Sequence, residues 1–448
     1  MSRHTPLTRR SFLRGTAAAA LAAPYVASAD ALGLDARPSP SGRIGAAGIG
    51  VGGRGSGHMR ALSQFDDVEL LAVCDVDKSR RLRMKQWIDK RYEKSRGTTY
   101  AGCDAYADFR EVLDRPDIDA VVIATPDHWH CPLTVYAAQA GKDIYCEKPL
   151  SNTIASGRKA ADAVRRYGRV FQTGSQERSR DGCRYACELV RNGYLGKIHT
   201  IRVFLPTGNR RSGCKGPEPI PDGFDYDRWL GPRPWEPYHP RRCHGSFRWI
   251  RDYSDGELTD RGAHTNDIAL LAAEPLLKGP ATIRGKGKYV DDPLFDVAYQ
   301  YHVEFEYASG IRYICSSDQA PSDVRCSITG DRRGIKFEGE RGWLFVGIHG
   351  GSLKADPPEL LRTRLGAGEV HMGRSPGHRR NWIEAIKTRG QTVAPAEDGH
   401  RTAAFCHLCD IACWLDRKLV WDFEKEAFVG DPGAGAMRDR PSRAPWHF

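Results

Sequence analysis

Beyond its N-terminus the chain has no apolar run long enough to cross a bilayer, so a soluble mature protein without membrane insertion is expected. It also has no basic helix and no aromatic RNA-binding motif. The formal charge of +11 falls to about +7 once Arg3, Arg9, Arg10 and Arg14 are set apart, and the remaining arginines are interleaved with acids. That pattern predicts a solvated basic surface and no nucleic-acid partner, with room for an anionic substrate. A disulfide scaffold is excluded on similar grounds, because the thirteen cysteines are odd in number and spread from Cys74 to Cys413 without a dense framework. No metal is expected. Cys406, His407, Cys409 and Cys413 fall in a helical stretch over 400–415 with the apolar spacing of core residues, and Cys243-His244 has no second ligand pair at metal spacing. There is no internal repeat.

What is present begins with an address. Thr8-Arg9-Arg10-Ser11-Phe12-Leu13-Arg14, a weakly apolar run over 15–23 and the small residues Ala27-Ser28-Ala29 resemble a twin-arginine export signal. Residues 1–29 are thus expected to direct the folded protein to the periplasm or beyond, with cleavage after Ala29. A linker rich in Pro, Ser and Ala follows over 30–42.

At 448 residues the chain exceeds the size at which one core keeps growing, so two domains are expected. Apolar runs alternating with helical patterns predict strands over 44–47, 68–74, 120–124, 143–146 and 170–173. Helices are predicted over 57–65, 78–92, 108–113, 133–140 and 154–167. Near-continuous apolar strands of this kind belong to a parallel, doubly wound sheet covered on both faces. After a helix over 183–192 and a strand over 198–204 comes a stretch, 206–250, with eight prolines together with Trp229, Trp235 and Trp249. It is too irregular for a packed element and too aromatic for disorder, which in a compact enzyme marks a functional loop. Alternating strands over 281–346, clearest over 297–305, predict an open, largely antiparallel sheet. A loop over 347–375, a helix over 381–387 and an irregular tail that packs on a neighbour or partner subunit complete the reading. The expected fold class is α/β with an α+β second domain, divided as 43–170, 171–421 and a tail over 422–448.

Gly48-Ile49-Gly50-Val51-Gly52-Gly53 fits G-x-G-x-x-G between a strand and a helix. Missing side chains let such a backbone turn tightly and approach a pyrophosphate, which the helix N-terminus favours. Gly48, Gly50, Gly53 and the adjoining Arg54 are therefore candidate cofactor contacts. Asp75, at the end of the second strand, can accept hydrogen bonds from the adenosine ribose, which favours NAD. Arg80 and Arg81 stand near enough in sequence to hold the extra phosphate of NADP. Thr125-Pro126-Asp127-His128-Trp129-His130 follows the strand at 120, where loops line the ligand crevice, so Thr125, Pro126, His128 and His130 join the candidates, with a structural role open for either histidine.

Oxidising a secondary alcohol requires a base for the hydroxyl proton and a cation near the developing alkoxide while hydride leaves carbon. Lys148, at a strand end beside Glu147, can supply the cation. Asp260 and His264, four apart before a helical stretch, are expected on one face of its first turn, with neutral His264 as base and Asp260 orienting it or binding a hydroxyl. In the long loop, Arg242 can bind sugar hydroxyls or a carboxylate, His244 can serve as a second acid or base, and Trp235 and Tyr238 can stack on sugar faces or fill a core.

Together these segments, with Gly256-Glu257-Leu258-Thr259-Asp260-Arg261-Gly262-Ala263-His264, resemble the Gfo/Idh/MocA oxidoreductases, a family that includes glucose-fructose oxidoreductase and inositol dehydrogenase. The secreted branch is the most similar, through Trp229-Leu230-Gly231-Pro232, Tyr238-His239-Pro240, Arg242-Cys243-His244, Phe247-Arg248-Trp249 and Arg443-Ala444-Pro445-Trp446. The resemblance implies a Rossmann domain binding NAD(H) or NADP(H), and an open-sheet domain whose outer face pairs subunits into a homo-oligomer. It also implies Lys148, Asp260 and His264 as the catalytic group, with Lys148-Pro149 often cis. Arg261 departs from it, standing where that branch usually has tryptophan, which bears on the substrate pocket. The expected activity is an exported NAD(P)-dependent dehydrogenase of a sugar, glycoside or cyclitol that retains its cofactor tightly. A nicotinamide-dependent glycosidase without net cofactor turnover and a non-catalytic nucleotide- or sugar-binding protein are the alternatives.

Overall fold

The computed structural model describes residues 42–97, 100, 102–318, 320, 333–350 and 352–448, so the expected export signal and nearly all of the expected linker lie outside the described residues. The first strand, β1 (Ile44–Ile49), is buried throughout. It leads through the glycine turn into α1 (Gly53–Leu62), which begins four residues before the expected 57 because glycines at its start cost little where no side chain must cap the helix. Then come β2 (Val68–Cys74), α2 (Lys78–Arg96, capped by Asp77), β3 (Asp104–Tyr106), α3 (Phe109–Leu113) and β4 (Ala120–Ile123). Next, α4 (Asp127–Gln139) starts six residues ahead of the expected 133 and carries Pro132 inside it. The segment expected as a crevice loop is therefore the first turn of this helix, with Asp127 favoured there by the helix dipole. The half-sheet closes with β5 (Asp143–Cys146), α5 (Ile154–Arg166) and β6 (Phe171–Thr173).

These six strands are parallel in the order β3-β2-β1-β4-β5-β6. Strand order reverses between β1 and β4, and the crevice beyond their carboxyl ends is where ligands of such sheets bind. The domain boundary expected at 170 falls one strand early, since β6 belongs to this sheet.

The second domain contains α6 (Asp181–Arg191), β7 (Ile198–Phe204), the short α7 (Tyr226–Leu230), α8 (Glu257–Asp260) and α9 (Gly262–Ala273). Its remaining strands are β8 (Ala281–Lys288), β9 (Gln300–Tyr307), β10 (Arg312–Ser316), β11 (Gly334–Gly339), β12 (Gly342–Gly347) and β13 (Leu353–Asp356). Two helices, α10 (His378–Thr388) and α11 (Ala396–Leu415), precede β14 (Leu419–Asp422), β15 (Ala427–Phe428) and α12 (Pro432–Ala436). The nine-stranded sheet runs β13-β12-β11-β7-β10-β9-β8-β14-β15, antiparallel except for β7 with β10. One face packs on α6, α9 and α11 through residues such as Phe305, Tyr313 and Phe405. Strand β13, inside a stretch expected as loop, is an edge strand without a fully buried residue, so it gives no apolar alternation to read.

Three features depart from a simple two-domain division. Trp382 and Ile383 of α10 pack on one face of the parallel sheet, and Trp446 of the tail packs on the other. The tail, expected as irregular and lying on a neighbour or partner, contains β15 and α12 and folds back on its own chain. The 206–250 segment contributes Phe224, Tyr226, Trp229, Tyr238, Phe247 and Trp249 to a small separate core completed by Tyr253, Leu294, Phe295 and Val297. Every described cysteine is free. Among the described residues no helix is long and apolar enough to cross a membrane, and no group of three or more His, Cys, Asp or Glu is arranged to hold a metal.

Candidate active site

A cleft of about 830 Å³ opens at the carboxyl ends of β1, β2, β4 and β5 and extends to α8, α9 and the 206–250 segment. That volume lies in the range of small-molecule sites. Its nucleotide end is built from contiguous sequence. Gly50 turns with φ +81°, and a Cβ there would lie 2.8 Å from the backbone of Ala124 and Thr125, so only glycine suits the position. Gly52 and Gly53 line the cleft at the start of α1, whose first turn has no side-chain cap and no acidic residue, leaving its N–H groups for an anion. Gly48 does not line the cleft. A Cβ on it would meet Met59 at 2.8 Å, so this glycine serves strand-to-helix packing.

Asp75 ends the second strand within the cleft and accepts from the Val51 amide at 2.9 Å and the Asp77 amide at 3.0 Å. Burial pushes its carboxyl above the usual range. The residues present fit an adenine dinucleotide. Arg54 donates to Glu147 at 2.8 Å and to Gln176 at 2.9 Å. Glu147 is buried, but His58 at 2.7 Å, Arg54 and Lys148 overcome that burial and hold its carboxyl well below the usual range. Thr125, Pro126 and His130 line the cleft, with the His130 ring nitrogens 2.6 Å from the Pro149 carbonyl and 3.0 Å from that of Thr125. His128 does not border the cleft. It is buried behind it, 2.9 Å from the Trp229 carbonyl, and burial lowers its pKa to about 3.

At the other end the peptide Lys148-Pro149 is cis, and Lys148 projects its ammonium onto Asp260, donating to Oδ1 at 2.6 Å and to the carbonyl at 2.8 Å. Burial opposes ionisation of Asp260, but Lys148 and Arg248 outweigh it and keep the carboxyl well below its usual range. Asp260 closes α8 and His264 lies in α9, with Arg261 between the two helices, so the pair reaches one cleft from two elements and not from one helical turn. Among the described residues no hydrogen bond joins them, and Asp260 orients Lys148 instead of the imidazole. His264 is fully buried on its Nδ1 side, where that atom has no partner among the described residues. Burial, then Lys148 and His349, hold it neutral.

Of the four substrate residues expected from the long loop, only His244 lines the cleft. It stands near Arg80 and Asp77, at the adenosine end, with φ 54°. Arg242 is turned away toward Tyr253, Tyr238 is buried in the aromatic core of the segment, and Trp235 is 59% exposed outside the cleft. Aromatic residues were placed in the right segment, but which of them face inward depends on its tertiary course.

Arg248, Glu257 and His349 also line the cleft, beyond the residues expected there. Arg248 places Nε 3.0 Å from Asp260 Oδ1. Glu257 has a buried Oε2 without a hydrogen bond, and burial, reinforced by Asp260, pushes its carboxyl up to about 7. His349, after β12 with φ 66°, lies edge-on to His264 at 5.2 Å between ring centroids, and its amide donates to Glu177 at 3.1 Å. Arg248 and Glu257 sit inside motifs visible in the sequence, whereas nothing local marks His349.

With this geometry in view, known proteins give the decisive observation. Residues 44–175 match the Gfo/Idh/MocA oxidoreductase family with its NAD-binding Rossmann fold, and residues 189–448 match its C-terminal alpha/beta domain. The chain belongs to the Gfo/Idh/MocA oxidoreductase family. It is 29% identical over 191 residues to a myo-inositol 2-dehydrogenase of Thermotoga maritima, covering 42% of this chain and 49% of that protein. It is 35% identical over 118 residues to an alpha-N-acetylgalactosaminidase of Shewanella oneidensis, covering 26% of this chain and 25% of that one. The chain thus spans about half or less of the length of these curated relatives. In fold it resembles an aldose-aldose oxidoreductase of Caulobacter crescentus, with a TM-score of 0.58 at 20% identity over 84% of this chain and 99% of that one.

Proposed function

We propose that this family member is an NAD(H)-dependent dehydrogenase acting on a secondary hydroxyl of a sugar, glycoside or cyclitol, working outside the cytoplasm with a retained cofactor. The observation that carries the reading is the Lys148–Asp260 pair, at 2.6 Å, in the same cleft as the glycine turn. A bound nicotinamide supplies the hydride acceptor or donor. Lys148, fixed by Asp260 through two acceptors, presents its remaining proton to the substrate oxygen and stabilises charge developing there. His264, held neutral, can accept a hydrogen bond or a proton from the hydroxyl. The names of the inositol dehydrogenase and of the aldose-aldose oxidoreductase support the substrate class.

Retention of the cofactor is supported by the way the 206–250 segment straps the adenosine end. The Lys78 amide donates to Gly223, the Asp225 amide to Val76, and Trp129 Nε1 to the carbonyls of Arg228 and Trp229. The Thr8–Arg14 segment supports export. A cofactor that cannot leave must be recycled in place, either by a second carbonyl substrate or by returning hydride to the same sugar after elimination. The second course is the glycosidase reading, which the galactosaminidase relative favours.

The test is the absorbance of reduced nicotinamide when signal-free protein meets hexoses, uronates, glycosides and inositols. A rise with one class supports the dehydrogenase. Release of a leaving group together with solvent deuterium in the product, and no rise, favours the glycosidase. Silence in both assays with nucleotide bound leaves a binding protein.

A further inference from the structure

The geometry points to a substrate that carries an anionic group, a carboxylate or a phosphate, held by Arg261 and Arg248 beside Asp260; this rests on the dehydrogenase reading and narrows its substrate class. Three cations converge on one carboxylate. Lys148 Nζ and Arg248 Nε lie 2.6 and 3.0 Å from Asp260 Oδ1, and Arg261 Nε lies 3.7 Å from Oδ2. Arg261 also stands 3.7 Å from Glu257 Oε2, so both of its ion pairs exceed hydrogen-bond length. Its guanidinium makes no hydrogen bond among the described residues, although its side chain lines the cleft and is 40% exposed there.

Among the described residues neither Glu257 nor Asp127 hydrogen-bonds Arg261 or Arg248. Burial pushes Glu257 up to about 7, and it raises the carboxyl of Asp127, which accepts from Ser254 at 2.6 Å. An oxidised nicotinamide ring would add a further positive charge to the same space. Cations in a partly enclosed cleft are costly to leave without counter-charge, and a guanidinium with free donors suits the planar, two-oxygen face of a carboxylate. Neutral sugars bring nothing to balance it. Arginine at 261 is thus read as a specificity-determining residue.

The experiment compares matched sugars with the nucleotide-loaded enzyme: uronates, their methyl esters and the corresponding hexose 6-phosphates. Nicotinamide absorbance gives kcat/KM, and titration calorimetry gives binding. An anion preference of about tenfold or more over the ester is expected, falling toward unity in Arg261→Gln mainly through KM and partly regained in Arg261→Lys. The better of the two anionic arms tells carboxylate from phosphate. Equal use of ester and acid by the wild type, or an unchanged ratio in Arg261→Gln that still holds nucleotide, overturns the inference while leaving the dehydrogenase standing. Arg261-dependent binding of the anion without hydride transfer in any arm does the reverse.

Discussion

The two ends of the cleft are made differently. At the nucleotide end, Gly50 to Arg54 form one continuous turn, joined by Asp75 from the neighbouring strand. At the substrate end, Lys148, Arg248, Asp260, His264 and His349 arrive from five separate places, and the key contact spans 112 residues of chain. A pyrophosphate asks mainly for backbone amides and space, which a short local motif can provide. Charge placed on a reacting oxygen asks for side chains converging from many directions, which only the tertiary fold can provide. The difference predicts that backbone changes will break the first end and side-chain changes the second.

The largest effect should come from Gly50→Val. Its Cβ would stand 2.8 Å from Ala124 backbone atoms at a φ of +81°, and the added bulk would occupy the pyrophosphate approach. Nucleotide should be lost altogether, read as the absorbance of cofactor released on denaturation, while the melting temperature confirms folding. A Gly50→Val protein that copurifies with nucleotide would show that the turn is not the cradle. Lys148→Ala should do the opposite, keeping nucleotide but lowering turnover by about 10² to 10³, the scale of a lost electrostatic donor. Unchanged turnover would remove Lys148 from the chemistry.

The same contrast explains what the sequence disclosed. Strands β2, β5 and β7 are bounded as expected, because apolar runs closed by turn residues carry their own limits. Helix α4 starts ahead of its apolar pattern, since buried His128, Trp129 and His130 lack the apolar periodicity that marks a helix. Lys148, Asp260 and His264 were legible because each stands in a conspicuous motif. Their connection was not, because the hydrogen bond from Lys148 to Asp260 depends on how two domains meet. His349 had no local signal, and nothing in the local sequence separates Tyr238, buried with Phe224, Tyr226 and Trp229, from the exposed Trp235.

A smaller effect separates the ends by pH. Glu257 keeps its proton to about pH 7 in the folded protein but loses it near its ordinary value of 4.5 when unfolded. Between those values unfolding releases a proton, so stability falls as pH rises and stays low above 7. A shift of this size corresponds to about 3 kcal/mol at full extent. Glu257→Gln should therefore match the wild type near pH 4.5 and exceed it by pH 8. Melting curves across that range check the expectation, and parallel curves would mean that Glu257 is ionised like an exposed acid. The nucleotide end should be insensitive to this substitution.

The smallest effect concerns the strap and the tail residue that fastens it. Arg443 donates to Asp227 Oδ1 at 2.6 Å and to the Gly231 carbonyl at 3.1 Å, tying the C-terminus to the segment that borders the cleft. Asp227 is 62% exposed, so solvent and salt screen the pair, and its contribution to stability should stay below about 1 kcal/mol. The other fastenings of the segment, at Gly223, Val76 and Trp129, remain in its absence. Arg443→Ala should therefore leave affinity nearly intact and speed nucleotide release only a few-fold, measured by chase with excess unlabelled nucleotide. Added salt should accelerate release more in the wild type than in the variant, because the variant keeps the Arg228–Asp108 pair at 3.1 Å but lacks the Arg443–Asp227 one. Equal salt dependence in both would show that the Arg443–Asp227 pair does not restrain the segment, leaving that task to its backbone hydrogen bonds, Trp129 and the Arg228–Asp108 pair.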